Sequence, residues 1–171
     1  MREKEAIEFF NTPKKVYKFL DKVFDKEEIC FFIGKSKDNY TIINEDLETL
    51  SSSQSVYKCF VGLLHSSYGV GKQNTLPAWA TTLEQQEFER DNLLQHVDET
   101  IGNVSSIQKI IDQGGLVRYS SFDGENNFAV NMPNEYEFSE NLVVKDDSFS
   151  EGLSQLDSVL STLIKAQAPQ Q

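Results

Sequence analysis

The chain has 171 residues with 16 Lys/Arg against 27 Asp/Glu, a net charge of −11. That length supports one domain able to bury roughly 70% of its unfolded surface without a disulfide or metal staple. The acid excess disfavours nucleic acid and anionic membranes as partners.

The N-terminus, MREKEAIEFF, carries charges where a signal peptide needs an apolar core. No apolar run approaches the roughly 18 residues of a membrane span, so a soluble cytoplasmic protein is expected. A short helix over about residues 3–10 can bring Ile7, Phe9 and Phe10 to the core. Thr12-Pro13 then predicts a helix start, with Thr12 as N-cap and Pro13 at the first helical position. Val16, Phe19, Leu20, Val23 and Phe24 follow at helical spacing, while Lys14, Lys15, Lys18, Lys22 and Lys26 form a basic outer side.

ICFFI (29–33) and YTII (40–43) read as a hairpin joined by the longer loop GKSKDN, the first strand apolar enough for burial on both faces. Residues 55–64, SVYKCFVGLL, resume a helical pattern with Val56, Cys59, Phe60, Leu63 and Leu64 on one side. Thr81 and Glu84 form a capping box for a long helix running toward Asp112, in which Gln108 fills a missing apolar place. Gly102-Asn103 is a candidate break in it, and Gly114-Gly115 its stop.

From Leu116 the period becomes that of strands: LVRYSSF, the turn DGENN, FAVNM, a turn at Pro133-Asn134, then YEF and NLVV. Ser148 and Glu151 form a second capping box, opening a helix whose Phe149, Leu153, Leu156, Leu160 and Leu163 make a narrow apolar seam. The tail 166–171 is expected to fray. Strands and helices come in blocks, which predicts a single α+β domain over residues 1–171: an antiparallel sheet of a short N-terminal hairpin plus a C-terminal meander, packed with two to four amphipathic helices. The loop 66–80 is the weakest point in that continuity.

Catalytic and cofactor motifs fail on spacing. In YGVGKQNT (68–75), Gly71-Lys72 has Ser66 where a phosphate-binding loop needs its first glycine and Gln73 where it needs a hydroxyl. A helix precedes it and Pro77 follows, so a plain connection is expected. His65 has no Cys, Asp or Glu at i+3 or i+4 and His96 has Glu99 alone, at i+3, too few ligands for a site, and no metal site or cofactor is expected. Cys30 and Cys59 lie in apolar runs and read as buried free thiols of a reducing compartment rather than as a disulfide. Burial would raise the Cys59 thiol pKa and keep it inert. Trp79 reads as a core plug.

Charge is segregated along the chain. Residues 1–40 hold nine Lys/Arg against eight Asp/Glu, and residues 41–171 hold seven against nineteen. Within 123–151 the acids Asp123, Glu125, Glu135, Glu137, Glu140, Asp146, Asp147 and Glu151 face only Lys145. The expectation is a non-enzymatic acidic protein-binding module: an inhibitor, or an immunity or counter-defence protein of microbial or phage type, whose meander acids (Asp123, Glu125, Glu135, Glu137, Glu140, Asp146, Asp147) dock a basic toxin, nuclease or defence enzyme. Two rivals are a secretion chaperone holding a client on the Leu156–Leu160 seam, and a small enzyme or effector with dispersed catalytic residues.

Overall fold

A computed structural model describes residue 8 and residues 10–26, 28–64, 104–133 and 142–167. Over these, the chain runs α1 (Pro13–Lys26), β1 (Ile29–Ser36), β2 (Asn39–Asn44), β3 (Thr49–Ser53), α2 (Val56–Leu64), α3 (Ser105–Asp112), β4 (Leu116–Phe122), β5 (Glu125–Asn131), β6 (Leu142–Asp146) and α4 (Phe149–Gln167). The six strands form one antiparallel sheet in the order β3-β2-β1-β4-β5-β6, the α+β architecture expected. Hairpin and meander are one sheet because β1 pairs with β4, Phe31 opposite Tyr119 and Phe32 opposite Arg118.

Local chemistry sets the turns. Asp123 and Gly124 both take positive φ, 51° and 75°, the two-residue hairpin geometry that Asp-Gly favours, so Glu125, Asn126 and Asn127 belong to β5 rather than to the turn. The first hairpin is also tighter than its sequence suggested: Ser36 pairs with Asn39 across Lys37-Asp38, with Lys37 at φ 57°. Gly115 ends α3 where a Cβ would lie 2.8 Å from the Ile110 carbonyl, so only glycine fits.

Strand β1 alternates instead of burying both faces. Ile29, Phe31 and Ile33 are buried, while Cys30 and Phe32 are half-exposed on the other side, so only Cys59 is a fully buried thiol. Strand β3 was not anticipated: Thr-Leu-Ser-Ser-Ser has little strand propensity, and its pairing with β2 and a bulge at Ile42/Ile43 hold it as an edge. Helix α2 is buried from Val56 through Leu63, Lys58 included, rather than on one side. Of the expected long helix, the described part is α3, which starts at Ser105 with Val104 as a non-helical N-cap, while the candidate break at Gly102-Asn103 lies outside the described residues. The earlier part of that expectation, with Thr81, Glu84, His65, His96 and Trp79, lies outside the described residues, as does YEF.

Every described helix packs on the same face of the sheet: α2 on β2 and β3, α3 on β1 and β4, α4 on β5 and β6, with α1 against α4 and α2. Between the layers sits a cluster of rings. Phe149, at the head of α4, has its ring centroid 5.0 Å from both Phe24 and Tyr119, 5.5 Å from Phe60 and 5.7 Å from Phe128. Gly152 lets α4 lie this close, since a Cβ there would stand 2.8 Å from the Phe128 ring.

The helix N-termini are satisfied across elements. Asp21 of α1 accepts from the Ser150 N–H (2.7 Å) and hydroxyl (2.5 Å) at the start of α4. Asp157 of α4 accepts from the Ile107 N–H (2.9 Å) at the start of α3, whose own N-cap, Val104, has no acceptor. Gln108 of α3 accepts from the Val56 N–H (3.0 Å) at the start of α2. Gln108 therefore has a polar duty where the sequence rhythm suggested an apolar place. Two local caps were foreseen: the Ser148 hydroxyl accepts from the Glu151 N–H (3.2 Å), but the Thr12 hydroxyl donates back to the Glu8 carbonyl (2.9 Å).

Phe149→Ala is expected to cost about 3–5 kcal/mol in urea unfolding, and Phe122→Ala, at 56% exposure, to stay within about 0.5 kcal/mol. Asp157→Ala, which strands the Ile107 N–H, is expected to cost about 1–2 kcal/mol. Burial raises the Asp157 carboxyl above its ordinary 3.8 despite backbone hydrogen bonds that lower it. The folded state thus binds that proton more tightly, and its contribution to stability improves as pH falls through the raised value toward 3.8. Asp157→Asn removes this gain, so its melting temperature should fall more steeply over that window than the parent's.

Candidate functional site: an acidic rim of the sheet

Antiparallel pairing brings alternate turns to the same end. The start of β1, the β2–β3 turn, the β4–β5 turn and the end of β6 all lie at one end of the strands. Glu28 stands before β1, and Glu45, Asp46 and Glu48 occupy the β2–β3 turn, all exposed. Asp123 and Glu125 flank the β4–β5 turn, and Asp146 and Asp147 close β6. Asp21 and Glu151 join them through the first turn of α4. Among described side chains, Lys22 and Lys145 stand beside this rim, Lys14 and Lys18 line a cleft with Asp21 and Glu151, and Lys145 is engaged with Glu125 at 3.5 Å.

The opposite end differs. There Lys35, Lys37 and Lys109 accompany Asp38 and Asp112, with Lys35 Nζ 3.1 Å from the Asp112 carboxylate. Asp112 also accepts a hydrogen bond from Tyr40, whose hydroxyl pKa is pushed up by burial and then by that carboxylate. Among the described residues, negative charge is therefore concentrated at one end of the strands. Adjacent strands are about 4.8 Å apart, so neighbouring rim acids lie within a Debye length of about 10 Å and act as one field.

Of the anticipated partner-binding residues, Asp123, Glu125, Asp146 and Asp147 gather on this rim, while Glu135, Glu137 and Glu140 lie outside the described residues. Asp21, Glu28, Glu45, Asp46 and Glu48 were not singled out from sequence. The first two sit in the charge-balanced N-terminal stretch, and only strand order carries them to the acids of the meander. The signal that could have found the other three is Asn44, whose side-chain oxygen accepts from the Asp46 (3.0 Å) and Glu48 (2.9 Å) N–H groups, an Asx turn readable from Asn followed by acids.

At the β6 edge of the rim, carboxyl groups crowd one another. The Glu151 carboxyl shares a hydrogen bond with Asp146, and this bond, then the charges of Asp146, Asp147 and Asp21, raise its pKa above 4.5. Asp146 accepts in addition from the Asp147 N–H at 2.7 Å. A cleft of about 240 Å³ lies beside them, lined by Asp21, Lys22, Asn126, Asp147, Ser148 and Phe149.

No group of three or more metal-ligating side chains occurs among the described residues. The Cys59 thiol is fully buried and donates to the Tyr40 carbonyl at 3.3 Å. The seam of α4 is part of the core, Leu153 at 1% and Leu156 and Leu160 at 0% exposure, so it offers no surface to a client. No helix of the described residues is long and apolar enough to cross a membrane. No protein-family model, no curated protein and no solved structure matches the chain.

Removing the Asp146 charge tests the crowding. Asp146→Asn should return Glu151 toward its ordinary 4.5, read by NMR titration of the Glu151 side-chain carboxyl carbon. Because the raised value penalises the folded state above it, the variant's melting temperature at neutral pH should not fall.

Proposed function

We propose that the protein is a non-enzymatic binding module that neutralises a basic protein partner, in the manner of an inhibitor, immunity or counter-defence protein directed at a toxin, nuclease or defence enzyme. One observation supports this reading: among the described residues, acids from separate segments converge on a single end of the sheet in excess over the lysines beside them (Lys14, Lys18, Lys22 and Lys145), while the other end is near neutral. A stable fold does not require that arrangement. Like charges brought together repel, and their cost is recovered when a cationic surface covers them.

The chemistry suits rapid encounter. Complementary fields raise association rates from about 10⁵–10⁶ to as much as 10⁸–10⁹ M⁻¹s⁻¹ at low salt. The exposed rim acids then set the on-rate, and close contacts set the off-rate.

The test takes a protein that co-purifies at near-equal stoichiometry and measures its association with the parent and with a combined Asp46→Asn, Glu48→Gln, Asp123→Asn, Glu125→Gln variant. None of these four carboxylates anchors a helix. The partner should be basic, its on-rate should fall steeply with salt, and the variant should lose about tenfold or more in on-rate at low ionic strength with its melting temperature kept. A partner of neutral or acidic character, or an on-rate indifferent to both salt and variant, would falsify the reading.

A further inference from the structure

We draw no further inference here: the strongest candidate, the groove of about 590 Å³ between α1 and α4, sets Lys14 and Lys18 beside Asp21 and Glu151 and so selects no charge class of ligand, and nothing in the structure shows what covers it.

Discussion

The acceptance of the Ser150 N–H and hydroxyl by Asp21 holds the start of the C-terminal helix, and much else depends on it. The first turn of a helix has N–H groups with no partner inside the helix, and an acceptor from another element satisfies one only if both elements are correctly placed. The same device recurs from α4 to α3 through Asp157 and from α3 to α2 through Gln108. Four helices distant in sequence are thus linked in a series of polar contacts around a core of aromatic rings. Misplacing one would strand a part-buried N–H group, at a cost of about 1–2 kcal/mol against a total stability of only about 5–15 kcal/mol for a typical domain.

That series places all the described helices on one face and so creates two surfaces. The helix-covered side is closed by Phe149 and its ring partners. The other side is a sheet face that ends at a rim of carboxylates. A negatively charged chain could have scattered its acids evenly, which would minimise repulsion. Among the described residues, the turns at one end of the strands collect most of them, and Glu151 responds with a carboxyl held above its ordinary range.

Several features were legible from residues alone. A turn at Asp123-Gly124 was read in the right place, though as the longer DGENN, where the positive φ of both residues closes it in two. The Ser148 cap, the Gly114-Gly115 stop and the apolar rhythm of α1 and α4 were equally local. Where reading failed, a distant partner had decided the outcome. Thr-Leu-Ser-Ser-Ser became β3 through its hydrogen bonds to β2, and Gln108 took its meaning from the Val56 N–H, 52 positions away. Thr12 turned its hydroxyl to Glu8 rather than capping α1.

By itself the amino-acid order determined most of the element types, β3 excepted, and the excess of acid, because propensity, φ preference and formal charge act over a few residues. Only tertiary structure decided which acids stand together. Strand order, through the pairing of β1 with β4, brought Glu28 and the Glu45–Glu48 turn into line with Asp123, Glu125 and Asp146. It also decided that the α4 seam would be core and that Phe122 and Val143 would stay outside. The physical reason is that burial and proximity belong to pairs of surfaces, and one segment does not specify which surface it will meet.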